Sequence, residues 1–125
     1  MDENALSFEI IGAAIDVHEA LGPGLLESAY EMALCHELRL RGLEVEKQKP
    51  LPVIYKGREL ECGYRIDLMV ENKVIIEIKS AEKIMPIHEV QLLTYLRLAE
   101  KKLGLLLNFN TTVMKNGIKQ VVNCL

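Results

Sequence analysis

Residues 64–80 read YRIDLMVENKVIIEIKS, and this stretch decides the fold. Apolar and charged residues alternate along residues 58–70, with Met69 as the exception, which is typical of a β-strand with one buried face. Residues 71–73 interrupt the alternation, and Val74–Lys79 predicts a second strand. The two strands are therefore expected to pair in an antiparallel hairpin.

The length of the turn between these strands sets which side chains share a face. If residues 71–73 form a three-residue loop, Val70 pairs with Val74, and Asp67 lies opposite Glu77. Asn72 suits such a loop because it tolerates the left-handed conformation. A two-residue loop would move Asp67 to the apolar side, and a slip of this kind is costly when one face is buried. The favoured register leaves six apolar residues on the opposite face: Ile66, Leu68, Val70, Val74, Ile76 and Ile78.

Lys79 follows Glu77 by two residues, so the two side chains share a strand face. Adjacent carboxylates repel each other, and a hard cation such as Mg²⁺ or Mn²⁺ between them would relieve the repulsion. Lys79 could then orient or deprotonate a water, or stabilise charge that develops in a reaction. The pattern alone leaves an alternative open, in which Lys79 and Arg65 balance Asp67 and Glu77 on a solvated strand face.

The remaining elements follow from periodicity and from Gly and Pro punctuation. Two helices are predicted first, at Ser7–Leu21 and Leu25–Arg41, with Gly42 as the cap of the second. The apolar stripe of the first contains Phe8, Ile11, Ala14, Ile15 and His18. An edge strand over Val45–Ile54, interrupted by Pro50 and Pro52, leads to a hairpin turn at Lys56-Gly57. Pro86 opens a helix that runs to Lys101, and strands at Leu103–Phe109 and Ile118–Val122 complete the order α-α-β-β-β-α-β-β.

The bulk properties fit one domain, residues 1–125. No apolar run is long enough to span a bilayer, and the acidic N-terminus does not resemble a signal peptide, so we expect a cytoplasmic protein without membrane contact. The three cysteines are scattered and predict neither disulfides nor a zinc site. The net charge of −3 counts against tight, independent binding to duplex DNA, and favours help from an oligomer or a protein partner.

Three segments in this order carry a resemblance to a known family. They are GPGLLESAYE at residues 22–31, the stretch at residues 64–80, and HEVQLLTYLRLA at residues 88–99. The first contains the pattern Gly24-x-x-Glu27-x-x-Tyr30. The chain resembles the GxxExxY protein family of the PD-(D/E)xK nuclease-like superfamily over nearly its whole length. The resemblance implies an α/β (α+β) fold with a restriction-endonuclease-like core, a central mixed β-sheet flanked by helices.

The resemblance also implies roles for individual residues. Asp67, Glu77 and Lys79 match the acidic-lysine core, and Glu27 matches an acidic residue that the first core helix places near the metal. The main-chain carbonyl of Ile78 would be a further metal ligand, and Gln91 matches a helical glutamine. The implied activity is Mg²⁺- or Mn²⁺-dependent cleavage of DNA or RNA. Two alternatives stay open: a non-catalytic or partner-dependent nucleic-acid-associated module, and a binding domain for a small phosphorylated ligand.

Several other side chains have both an ordinary structural interpretation and a functional one. His18 is expected to be a capping or core histidine, and Lys83 an ordinary surface lysine. Tyr30 either contacts Glu27 or packs below it. His88 shares a polar helix stripe with Gln91 and Tyr95. Tyr55 and Phe109 are expected in the core.

Overall fold

The computed structural model describes residues 1–124. Its helices are α1 (Glu3–Leu21), α2 (Glu27–Leu40) and α3 (Pro86–Ala99). Its strands are β1 (Val45–Pro50), β2 (Val53–Tyr55), β3 (Arg58–Leu60), β4 (Arg65–Val70), β5 (Val74–Lys79), β6 (Leu103–Asn108) and β7 (Ile118–Val122). A short 3₁₀ helix, Met114–Gly117, precedes β7. None of the helices within residues 1–124 is long and apolar enough to cross a lipid bilayer.

Five strands form one mixed sheet in the order β1-β4-β5-β6-β7. The β5–β6 pair is parallel and the other neighbours are antiparallel. Helices flank the sheet, which confirms the predicted α+β class with a central mixed sheet. The proline-containing strand β1 lies at an edge, where a missing backbone donor is tolerated.

The two faces of the sheet carry separate apolar cores. One core packs α1 and α2 against residues such as Leu68, Val70 and Ile76. The other packs α3 against Met69, Ile75 and neighbouring residues. Strands β5 and β6 are buried on both faces, which explains their continuous apolar runs.

The predicted strand over residues 58–70 is interrupted. Gly63 adopts φ 73°, a conformation that an extended strand does not use, and residues 61–64 are not in a strand. The first part, β3, pairs with β2 in a two-stranded sheet of its own. Residues 51–52 likewise divide the predicted edge strand. The structure therefore has two more short strands than the predicted order, while the Lys56-Gly57 turn is confirmed with φ of 49° and 79°.

The predicted apolar stripe of α1 was wrong in part. The helix begins at Glu3, where Asp2 caps it by accepting a hydrogen bond from the N–H of Ala5 at 2.8 Å. Phe8 is 79% exposed. Of the predicted stripe, Ala14 and His18 are buried, and the rest of the buried face contains Leu6, Ser7, Ile10, Ala13 and Val17. Because apolar residues occur all round this helix, periodicity alone did not identify the buried face.

Candidate functional site

The turn between β4 and β5 has the predicted length. Val70 pairs with Val74 and Leu68 with Ile76, so residues 71–73 form the loop. Asn72 adopts φ 53°, the left-handed conformation expected of it, and Glu71 does so too at 51°. The register that places Asp67 near Glu77 is therefore the observed one.

Beyond the Leu68–Ile76 pair, side-chain carboxylates rather than main-chain carbonyls accept the hydrogen bonds between the two strands. Glu77 Oε2 accepts a hydrogen bond from the N–H of Asp67 at 2.9 Å. Asp67 Oδ2 accepts one from the N–H of Ile78, also at 2.9 Å. Each carboxylate is thus fixed by the main chain of the opposite strand, and the two acidic residues are held side by side.

Strand β4 is distorted at Asp67, and this corrects one detail of the predicted pattern. Ile66 packs in the same core as Met69 and Ile75, although it was expected on the face of Leu68. Residues three apart cannot share a face in a regular strand, so the alternation breaks between them. Gln48 lies opposite Asp67 in β1 and adopts φ 50°, which is unusual for a residue other than glycine.

Helix α2 and strand β1 bring further polar side chains to Asp67. A cavity of about 150 Å³ is lined by Glu27, Ser28, Glu31, Gln48, Asp67 and Ile78. Gln48 Nε2 donates to Glu31 Oε1 at 2.6 Å and to Asp67 Oδ1 at 3.3 Å. Glu31 and Gln48 were not among the predicted site residues. Glu31 could have been found, because it follows Glu27 by four residues and shares its helix face.

The carboxylates of this cluster resist ionisation. Burial raises the pKa of Glu77 to about 8, and the charge of Asp67 adds to the rise. Burial likewise raises the pKa of Asp67 and that of Glu31. The positive charge of Lys79 partly offsets the shifts of Asp67 and Glu77. Within residues 1–124, none of these carboxylates forms a direct ion pair with a lysine or arginine.

The oxygen donors at Asp67 and Glu77 suit a hard divalent cation. Within the described residues, no three His, Cys, Asp or Glu side chains are arranged to hold one metal ion together. Mg²⁺ does not require three, because it is usually held by one or two carboxylates, waters and substrate phosphates. Asp67 and Glu77, with the main-chain carbonyl of Ile78, are oxygen donors of this kind. The residues present therefore fit Mg²⁺ or Mn²⁺ better than Zn²⁺, which prefers nitrogen and sulfur ligands.

Tyr30 packs below the site and holds the loop that precedes Glu27. Its side chain is fully buried and stacks on Phe109, with ring centroids 4.5 Å apart. Its hydroxyl donates to Gly22 O at 2.6 Å and accepts from the N–H of Leu25 at 3.1 Å. The core position expected of Phe109 is thus observed, and of the two alternatives for Tyr30 the structure shows packing rather than a bond to Glu27.

Ser80 connects this loop to the end of β5. Its hydroxyl donates to Leu25 O at 2.7 Å, and its N–H donates to Glu27 Oε2 at 3.4 Å. The start of α2 is thereby fastened to the residue that follows Lys79. This contact was not predicted, because nothing in the sequence indicates which loop meets Ser80.

Helix α3 carries Gln91 and Tyr95, whose side chains are hydrogen-bonded to each other. Gln91 Nε2 donates to Tyr95 Oη at 3.2 Å. The pKa of Tyr95 is raised by burial and, to a smaller extent, by the charge of Glu77. His88 caps the helix instead, since its Nδ1 accepts from the N–H of Met85 at 3.0 Å.

The remaining candidates lie apart from the carboxylates. His18 is buried, and its Nε2 lies 2.7 Å from Thr111 O. Lys83 is exposed in the loop after β5. Tyr55, expected in the core, is 62% exposed.

A comparison with known proteins gives one family. A family model described as the PD-(D/E)XK nuclease superfamily matches residues 4–121. No curated protein and no solved structure gives a significant match.

Proposed function

Since this chain belongs to the PD-(D/E)XK nuclease superfamily, we propose that it is a divalent-metal-dependent nuclease whose site contains Asp67, Glu77 and Lys79. The family supports a nuclease-type function in general. The finer assignment, to the GxxExxY branch acting on DNA or RNA, rests on the motifs at residues 22–31, 64–80 and 88–99.

One observation carries the proposal. Asp67 and Glu77 are held together by hydrogen bonds to each other's strands, at 2.9 Å each, in a largely buried position without an ion-pair partner among the described residues. Keeping two carboxylates this close costs free energy unless a cation or a proton compensates. A site that only stabilised the fold would not need this arrangement.

The assigned ligands are Asp67, Glu77 and the carbonyl of Ile78, with Glu27 as an outer contributor. Mg²⁺ or Mn²⁺ held there would polarise a phosphoryl oxygen and lower the pKa of a nearby water. Glu27 and Glu31 line the same cavity as Asp67 and add negative charge that favours a cation over a phosphate alone.

Lys79 and Gln91 are assigned to the reaction rather than to the metal. Hydrolysis adds water across a phosphodiester bond, so one product keeps the phosphate and the other gains a hydroxyl. Lys79 would orient or deprotonate the attacking water, or stabilise charge that grows on the phosphoryl oxygens. Gln91, which donates a hydrogen bond to Tyr95, would position the water or a phosphate oxygen.

A second candidate is a partner-dependent or non-catalytic module with the same fold. The net charge of −3 favours it, because weak phosphate contacts limit independent binding. A homo-oligomer or another protein would then supply part of the nucleic-acid surface.

Cleavage assays test the proposal. Labelled single-stranded, double-stranded and branched DNA and RNA are incubated with Mg²⁺, Mn²⁺ or a chelator. We expect cleavage of at least one substrate with a metal ion and none with the chelator. Cleavage that persists in the chelator would contradict metal dependence, and no cleavage of any substrate with metal bound would favour the second candidate.

A further inference from the structure

The β2–β3 hairpin exposes apolar and basic side chains that the fold does not use. The hairpin forms a sheet of its own, apart from the main sheet. Ile54 is 64% exposed and Tyr55 62% exposed. Lys56 Nζ lies 5.4 Å from the centroid of the Tyr55 ring. An isolated two-stranded hairpin gains little stability, so these exposed side chains call for an explanation other than folding.

Charge is distributed unevenly along the chain: the hairpin tip and the residues before it are basic, whereas Glu59 in β3 and Glu61 just after it are acidic. Residues 47–58 contain Lys47, Lys49, Lys56 and Arg58 and no carboxylate, in a chain whose net charge is −3. Lys49 pairs with Glu46, whereas the other three form no ion pair within the described residues. Arg58 lies opposite Tyr55 in the hairpin, and Glu59 lies on the other face.

The hairpin is anchored beside the candidate site. At its base, the N–H of Leu51 donates to Tyr64 O at 2.9 Å, and Leu51 is buried in the α3-side core. Tyr64 is 47% exposed and meets Tyr95 edge-on, with centroids 6.1 Å apart. Arg65 Nη1 donates to the main chain of Gln48, whose side chain reaches Asp67.

Aromatic and basic side chains therefore follow one another from the hairpin tip to the acidic cluster. The chain has only six aromatic residues, and two of its exposed ones, Tyr55 and Tyr64, lie on this path. At the inner end, Lys47 lies near enough to Glu31 to offset part of the pKa rise that burial causes. An unpaired strand of nucleic acid binds surfaces of this kind, because its bases stack on exposed aromatic rings and its phosphates contact the cationic side chains.

We propose that the β2–β3 hairpin binds an unpaired strand of nucleic acid next to the candidate site, with a base on Tyr55 and phosphates at Lys56 and Arg58. This inference rests on the proposed function and narrows its substrate to nucleic acid with a single-stranded segment. A duplex would not offer a base face to Tyr55, because its bases are already stacked.

Binding is measured without cleavage, so that the two proposals can fail separately. Fluorescence anisotropy reports the affinity of the chain for a labelled single-stranded oligonucleotide in chelator. Tyr55→Ala should weaken binding about tenfold, in line with the loss of one base–aromatic stack, and Tyr55→Phe should retain it. Phe8→Ala removes another exposed aromatic, on α1, and should leave affinity unchanged.

The contributions of Lys56 and Arg58 are measured separately, through the salt dependence of the binding affinity. Lys56→Ala and Arg58→Ala should each lower the slope of log affinity against log salt by about 0.7, the value for one phosphate contact on a single strand. Lys102→Ala serves as the matched control, because Lys102 is exposed before β6, at the opposite end of the sheet from Lys79.

Each outcome decides the inference. If Tyr55→Ala binds the single strand as well as wild type, or if wild type does not bind it, the hairpin is not the contact. If Tyr55→Ala weakens duplex binding equally, base stacking is wrong. A wild type that cleaves while Tyr55→Ala binds normally would overturn only the hairpin inference. A wild type that never cleaves, with Tyr55→Ala binding weakened, would overturn only the nuclease.

Discussion

The carboxylates of Asp67 and Glu77 accept main-chain hydrogen bonds across the β4–β5 pair, in the place of the main-chain carbonyls that would accept them in a regular sheet. Glu77 Oε2 accepts from the N–H of Asp67, and Asp67 Oδ2 accepts from the N–H of Ile78, both at 2.9 Å. The exchange satisfies main-chain donors and fixes both acidic groups on rigid strands. Such groups are positioned more accurately than groups on loops, which suits a metal or catalytic site.

The first prediction concerns metal binding at Asp67. Asp67→Asn keeps an oxygen that can accept from the N–H of Ile78, so the fold should survive. The lost charge should lower the affinity for Mg²⁺ or Mn²⁺, measured by isothermal titration calorimetry, by about tenfold or more. Glu19→Gln, an exposed change on α1, should leave it unaltered. Equal affinity in Asp67→Asn and wild type would remove Asp67 from the ligand set.

The second prediction concerns the stability of the metal-free protein. The pKa of Glu77 is about 8 in the folded chain against an ordinary 4.5, because burial disfavours its charged form. The folded state therefore binds more protons than the unfolded state between these values, and the free energy of unfolding should fall as pH rises from 4.5 to 8. The raised pKa of Asp67 acts in the same direction.

The variant Glu77→Gln isolates this effect. It cannot ionise, so urea unfolding in chelator should give a flatter pH profile than wild type and a larger free energy of unfolding at the alkaline end. Glu19→Gln should reproduce the wild-type profile. Parallel profiles for wild type and Glu77→Gln would mean that Glu77 is charged throughout this range.

The third prediction concerns the Tyr30 hydroxyl. Tyr30→Phe keeps the ring that stacks on Phe109 but leaves Gly22 O and the N–H of Leu25 without their partner. The expected cost is about 1–3 kcal/mol in the free energy of unfolding, since two hydrogen bonds of about 0.5–1.5 kcal/mol each are lost. Tyr55→Phe removes an exposed hydroxyl and should change it by less than about 0.5 kcal/mol. A Tyr30→Phe variant as stable as Tyr55→Phe would show that the loop does not depend on this contact.

Much of the sheet followed from residues 64–80. The alternation and the length of the loop predicted the β4–β5 register, which places Leu68, Val70, Val74, Ile76 and Ile78 in one core. Ile66 departs from the prediction because β4 is distorted at Asp67, and the second apolar core on the other face accommodates it. Phe8 and Tyr55 were placed in the core wrongly. The sequence does not show which helix or strand packs on a given apolar residue. No element among the described residues covers the tip of the β2–β3 hairpin, so Tyr55 is exposed.

The site was predictable where its residues are close in sequence and not where they meet through tertiary structure. Asp67 and Glu77 are brought together by one hairpin. The Gln48 side chain contacts Asp67 because β1 pairs with β4 and because Gln48 itself adopts φ 50°. No local sequence pattern indicates either feature. The contact of Ser80 with Leu25 likewise depends on how α2 packs on the sheet.

The most direct test of the account is single-turnover cleavage by Lys79→Ala, with metal and substrate saturating. Lys79 forms no ion pair with Asp67 or Glu77 in the described chain, so its loss should spare metal binding. An interaction realised in the transition state alters turnover rather than ground-state binding. The account predicts a rate lower by about 10²-fold or more, with metal affinity retained and Lys102→Ala cleaving like wild type. Equal rates for Lys79→Ala and wild type would contradict it.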